Sequence, residues 1–226
     1  MDYNKLRNII YEYSSTFFDE NPIIIHAGSH HGEICVDILS KIFPTSTIHT
    51  FEPFEESFQI CSNKIIEQSV SNVKIYKIGL SNKSSDKSEM NLCYHTNTNS
   101  LFKVNEEFKY CTNEQSDDTI NIELTTLDLF CGKNNITNVD FLHLNVEGSE
   151  LDTLIGAKKI MENIKVVFLE VNLIEIWKDC PLFWDIDKYM MENNFYLSMH
   201  DQRKYYEWTN IQHGVLYINK KFYPKF

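Results

Sequence analysis

No apolar run in the 226-residue chain approaches the ~18 residues that a membrane-spanning helix needs. The start, Met1-Asp2-Tyr3-Asn4, lacks the basic residues and apolar stretch of a secretory signal, so the cytoplasm is the expected compartment. Positive charge is scarce: 21 Lys and Arg stand against 32 Asp and Glu, for a formal net charge of −11. A protein that grips phosphate backbones or anionic lipid needs the opposite balance, because its affinity comes from Lys and Arg displacing counterions. Neither nucleic acid nor a membrane surface is therefore expected as a partner, and the oligomeric state is left open. No Cys-x-x-Cys pair occurs among the six cysteines (Cys35, Cys61, Cys93, Cys111, Cys131, Cys180), which read as reduced structural thiols. No repeat or low-complexity linker divides the chain. With 42% hydrophobic and 23% charged residues, it has the composition of one large soluble domain spanning 1–226.

What is present alternates. Leu6, Ile9, Ile10, Tyr13 and Phe17 recur at helical spacing, which predicts an amphipathic leading helix over 1–20. Ile23-Ile24-Ile25 is a continuous β-branched run of the kind buried on both faces of a parallel sheet. Ile34, Ile38 and Ile42 line a helix that stops at Phe43-Pro44, since the residue before proline is pushed out of the α region. The alternation repeats with a strand over 47–52, a helix carrying Phe54, Phe58, Cys61 and Ile65, and a strand over 73–78. From 81 to 119 the pattern degrades into Ser, Asn and Asp, predicting an insertion over the sheet and a candidate substrate lid, with 90–94 as a hairpin strand. Further strands are expected at 120–124, 140–146, 166–171, 195–199 and 215–219, with helices over 149–161 and 184–192. Such alternation predicts an α/β, Rossmann-like fold, a mostly parallel doubly wound sheet with an antiparallel C-terminal edge.

Three motifs fall at strand ends, where ligands bind in open α/β sheets. His26-Ala27-Gly28-Ser29-His30-His31-Gly32-Glu33 joins the first buried strand to its helix, and its glycines let the backbone approach a nucleoside cofactor. Thr50-Phe51-Glu52-Pro53 ends the second strand, so Glu52 lies where a carboxylate accepts ribose hydroxyls. A nicotinamide cofactor would use the same geometry, but the three-glycine G-x-G-x-x-G pattern is absent. Leu142-His143-Leu144-Asn145-Val146-Glu147-Gly148-Ser149-Glu150-Leu151 ends the strand beyond the insertion. Alternation predicts His143, Asn145 and Glu147 on one side, with Ser149 capping the next helix and Leu151, Leu154 and Ile155 facing the core. His26, His30, His31 and Glu33 cluster in sequence, yet no H-E-x-x-H or Cys/His framework accompanies them, and no metal is expected.

The glycine turn, the Phe51-Glu52-Pro53 tripeptide, Thr126-Leu127-Asp128 and, most specifically, Asn145 to Ala157 (NVEGSELDTLIGA) occur in the order seen in the FkbM family of methyltransferases, which the chain resembles from about Ile23 to Val171. The resemblance implies a class I methyltransferase fold, S-adenosylmethionine as cofactor, and O-methylation of a sugar or glycan hydroxyl. It implies that His26, Ala27, Gly28 and Ser29 line the methionine end, that Glu52 and Pro53 hold the ribose side, that Gly79 and Leu80 lie near the adenine, and that Asn145 borders the cofactor. The family usually has Asp where His26 and Asn145 stand here, so two carboxylates are missing beside a sulfonium.

Methyl transfer is an in-line displacement that needs alignment, exclusion of water and removal of a hydroxyl proton. Glu147 or Glu170 is expected to orient or deprotonate the acceptor, with Asn145 positioning it. His200 and His213 are further candidate bases, and Asn145, Glu147 and His200 the more plausible trio for any ion. The aromatic tail, including Trp177, Trp184 and Tyr189, fits both a sugar-stacking surface and ordinary core. The alternatives are a methyltransferase for a peptide or small amine, a cofactor-binding scaffold without catalysis, and a nicotinamide dehydrogenase.

Overall fold

The computed structural model describes residues 18–111, 115–206 and 209–223, and for 109–111, 115–117, 200–206 and 209–210 the backbone alone. The expected leading helix falls almost wholly outside these residues. β1 (Ile23–Ala27), β2 (Thr47–Phe51) and β3 (Val73–Tyr76) pair in parallel, with β2 between the other two. β4 (Gly79–Leu80), β5 (Ser85–Cys93) and β6 (Gln115–Thr125) form a separate three-stranded sheet of order β4-β6-β5. β7 (Val139–Leu144), β8 (Ile164–Asn172), β9 (Phe195–Tyr206) and β10 (Thr209–Asn219) complete the main sheet, whose order is β3-β2-β1-β7-β8-β10-β9. Within this sheet only β10 runs against the other strands, paired antiparallel with β8 on one side and with the edge strand β9 on the other, so the chain builds a mostly parallel doubly wound sheet with antiparallel pairing at its C-terminal edge.

Period-2 alternation sorts the strands onto two faces. Ile25, Ala27, Phe51, Leu142, Leu144, Val167 and Leu169 pack under α3 (Leu127–Lys133), α4 (Glu150–Ile155) and α5 (Phe183–Glu192). Ile24, Ile48, Phe141, Val166 and Phe168 pack under a π-helical turn at Cys35–Leu39, the short α1 (Ser40–Ile42), and Cys61 of α2 (Glu55–Glu67). At the lower edge, buried Asp140 ties three segments. Its carboxylate meets Lys165 Nζ at 2.8 Å and accepts from the Ile23 and Asp19 amides at 2.8 and 3.2 Å.

Several boundaries differ from the sequence reading. The 81–119 stretch contributes a nine-residue strand and part of an eleven-residue one, with Met90 opposite Ile120 as the hairpin reading required. The terminal strands are twice their expected length and form a long hairpin in place of two short strands and a loop. The helix after β7 stops at Ile155, and the next residue, Gly156, passes so close to the Ser81 carbonyl that a Cβ there would collide with it. Ile155 is exposed, not core-facing. Among the described residues no helix is long and apolar enough to cross a membrane.

Candidate functional site

The strand order reverses direction between β1 and β7, since the chain moves outward through β2 and β3 and returns to β7 on the other side of β1. Crevices at such a switch point, beyond the carboxyl ends of the strands, are where open sheets bind ligands. Here the crevice is built from the turn after β1, the end of β2 and the turn after β7.

The first turn is anchored to β2. The Gly28 and Ser29 amides both donate to the Phe51 carbonyl at 3.1 Å, and Ser29 Oγ donates to the same oxygen at 3.0 Å. Gly28 holds φ +85, and a Cβ there would strike the Asn145 carbonyl. The two turns therefore touch through bare backbone, the close approach that glycine alone allows. Ala27 and the Ser29 side chain are buried in this packing. Glu52 is 8% exposed, and its carboxylate accepts from the His30 amide at 2.8 Å and the Phe54 amide at 3.0 Å. Burial raises its pKa, against the pull of those amides. Each oxygen keeps a further lone pair, which is the acceptor set that the two hydroxyls of a ribose diol require. Pro53 follows, half-buried.

His26 is placed differently from the sequence reading. Alternation along β1 turns it to the face opposite Ala27, where it is 0% exposed beside the Cys35 thiol. Its Nδ1 lies 2.8 Å from Thr50 Oγ1, and its ring stacks on that of His143 at 4.9 Å. His26 is core, packed in the sheet interior rather than on the surface of the crevice. His143, stacked also on Phe168, is core as well. The expected shared side for His143, Asn145 and Glu147 fails because β7 ends at Leu144, and Glu147 (φ +49) and Gly148 (φ +96) are left-handed. Asn145 donates its amide to Ala27 at 3.1 Å, and the Glu147 carbonyl accepts from Ser100 Oγ at 2.6 Å. The insertion thus reaches the β7 turn through Ser100 and the β1 turn through Thr96, whose Oγ1 is 3.1 Å from His30 Nε2.

The sequence reading missed Glu150. Ser149 makes no capping bond; the buried Glu150 carboxylate accepts from the Val146 amide at 2.9 Å and the Gly148 amide at 3.0 Å. Burial pushes its pKa up to about 7, and the nearby Glu170 charge adds to the rise. A carboxylate in the first turn of a helix, two residues after a glycine, was the available signal. Glu170 is half-buried on β8 opposite Gly214, and Asn172 holds Gln212. Gly79 and Leu80 are buried in the second sheet under Leu124, not at the end of β3. His200 pairs with Val215 on the edge hairpin, and its side chain lies outside the described residues.

The sequence matches the Methyltransferase FkbM domain over residues 26–197. It is 25% identical over 154 residues to Methyltransferase 1 of Beauveria bassiana (strain ARSEF 2860), an alignment covering 64% of this chain and 61% of that protein. The chain thus spans less than two thirds of that relative's length. Among solved structures, the fold is similar to magnesium protoporphyrin IX methyltransferase of Synechocystis PCC 6803 with bound SAM (TM-score 0.55, 8% identity, 96% of this chain and 79% of that one). It is also similar to precorrin-6y C5,15-methyltransferase of Geobacter metallireducens GS-15 (TM-score 0.52, 10% identity, 97% and 90%). The fold is that of the class I methyltransferases. The chain belongs to the FkbM methyltransferase family, and S-adenosylmethionine is the cofactor that membership implies.

Proposed function

We propose that the chain methylates a hydroxyl oxygen of a sugar or glycan in the crevice between the β1 and β7 turns. Names of the fold neighbours put a porphyrin and a precorrin in the acceptor position, so the fold leaves the acceptor open and the crevice itself must argue for one. The observation that carries the reading is a group of buried donors around the β7 turn. Ser149 Oγ, Trp177 Nε1 and Asn99 Nδ2 are buried with no hydrogen-bond partner among the described residues. Trp177 lies against Gly148, Ser149 follows it, and Asn99 adjoins the Ser100 that holds Glu147. Buried donors are normally satisfied, and a polyhydroxyl ligand supplies the missing acceptor oxygens.

S-adenosylmethionine supplies an electrophilic methyl group on a sulfonium when bound. Glu52 holds the ribose hydroxyls, with Pro53 beside it, and the Gly28 turn brings backbone to the methionine end. Asn145 positions the acceptor. Glu147 takes the hydroxyl proton, with Glu170 as the second candidate for that role. The insertion at Thr96 to Ser100 excludes water and acts as the lid. The acidic balance of the chain argues against a polyanionic acceptor.

Calorimetric titration with S-adenosylmethionine, repeated with NAD, tests the cofactor, and mass spectrometry of an oligosaccharide panel tests the acceptor. Saturable binding of the first alone with a gain of one methyl group on a glycan is expected. Binding of NAD alone would replace the reading with a dehydrogenase, and binding of neither with a scaffold. Glu147→Gln is expected to lower kcat at least about tenfold at unchanged cofactor affinity; unchanged turnover would remove Glu147 from the chemistry.

A further inference from the structure

The turn after β1 carries a second set of donors that methyl transfer leaves unused. His30, His31 and Glu33 each bring one ligand atom to within 4.8 Å of the others, and all three side chains are half-buried. Their spacing matches no metal motif; backbone conformation assembles them. His30 holds φ +45, a left-handed geometry that a residue with a bulky side chain adopts at a cost. Its ring stacks on that of His31, with centroids 3.6 Å apart, so the His31 ring must turn about its side-chain bonds for both lone pairs to meet at one ion.

One pair of donors already stands at the separation an ion sets. Two donors each about 2.1 Å from one metal, at tetrahedral to octahedral angles, stand about 3.0–3.4 Å apart. His30 Nδ1 and Glu33 Oε1 are 3.2 Å apart. The other nitrogen of His30, Nε2, lies 3.1 Å from Thr96 Oγ1. A metal-bound imidazole hands its second N–H to such an outer acceptor, which fixes the tautomer and the ring orientation.

We propose that His30, His31 and Glu33 form a binding site for a borderline divalent transition metal such as zinc or cobalt. Two imidazoles and one carboxylate favour these ions over magnesium or calcium, which prefer all-oxygen sets. Three protein ligands leave a coordination position for water or for an oxygen of a bound molecule. The site lies between two parts of the crevice. The His30 amide is bonded to Glu52, and the His30 ring to Thr96 of the insertion. A bound metal would therefore fasten the insertion to the turn that faces the cofactor.

The test uses untagged full-length protein freed of metal with a chelator, titrated with cobalt(II) and followed by visible absorption, then displaced with zinc(II). One equivalent should bind saturably, and both His31→Ala and Glu33→Gln should weaken it at least about tenfold while leaving far-ultraviolet circular dichroism unchanged. His31 makes its described ring contact only by stacking, so its removal leaves the fold intact even if that of His30 does not. No binding, or binding undiminished in both variants, would overturn the proposal. So would a near-ultraviolet thiolate-to-cobalt band, which would move the ion to a cysteine. Cobalt absorption needs neither cofactor nor methyl transfer, so this outcome is separate from that of the methylation assay.

Discussion

Glu150 shows how one side chain shapes the site from a distance of a few residues. Its two carboxylate oxygens hold the Val146 and Gly148 amides, and with them the left-handed pair Glu147 and Gly148. Burial opposes the charged form and the amides favour it; burial prevails, with the pKa at about 7 against an ordinary value of 4.5. The folded state therefore holds a proton more tightly than the unfolded chain. By linkage this stabilisation is fully present below about pH 4.5 and is lost as pH rises through about 7, on the order of 3 kcal/mol in all. Urea unfolding of the wild type should show that decline between pH 4.5 and 7, superimposed on other titrations. Glu150→Gln should remove this component of the slope and, because its amide nitrogen faces a donor, cost about 1–3 kcal/mol at pH 5. An identical pH slope in the two proteins would show that the carboxyl stays charged throughout. Glu150 is a positioning residue by this account, and its loss should lower methyl transfer through Asn145 and Glu147.

At the scale of elements, most of the fold was legible and the ends of elements were not. Ile23-Ile24-Ile25 and Val166 to Val171 announced strands because both sheet faces are covered, so apolar side chains run without a break. The end of β7 was hidden because His143, Asn145 and Glu147 continue a strand-like alternation; what stops the strand is the grip of Glu150 on the following amides, a contact absent from any period. Thr126-Leu127-Asp128 was recognised by resemblance, and its physical role emerges from contacts. Thr126 caps α3 by accepting from the Leu129 amide, and Asp128 accepts from the Lys159 and Ile160 amides 31 and 32 residues on. Gly28 was legible as a turn, but its reason is the opposing Asn145 carbonyl in the turn after β7. Gly28→Ala should destabilise the protein by more than about 1 kcal/mol, from the positive φ and the collision together. It should also weaken S-adenosylmethionine binding in calorimetry, since the two turns must part. Retained stability and affinity would mean the turns separate freely.

For the whole molecule, the order of strands is what converts scattered motifs into one site. The Gly28 turn, Glu52 and the Asn145 to Gly148 turn are far apart in the chain and adjoin because β1 lies between β2 and β7. Alternation of strands and helices could predict the class of sheet but not the burial of His26, which depends on the π-helical turn that covers its face. Nor could it place the insertion, whose Thr96 and Ser100 contacts join positions 47 to 66 residues away. Net charge is the property that sequence alone conveys for the entire surface. At −11 the chain repels a phosphate backbone at long range, and neutralising contacts would have to come from the few Lys and Arg near the crevice. Fluorescence anisotropy with a labelled single-stranded RNA at low salt should therefore show no saturable binding. If binding does occur and its affinity falls steeply with added salt, a local basic surface outweighs the global charge, and an RNA would displace the glycan as the acceptor to assay.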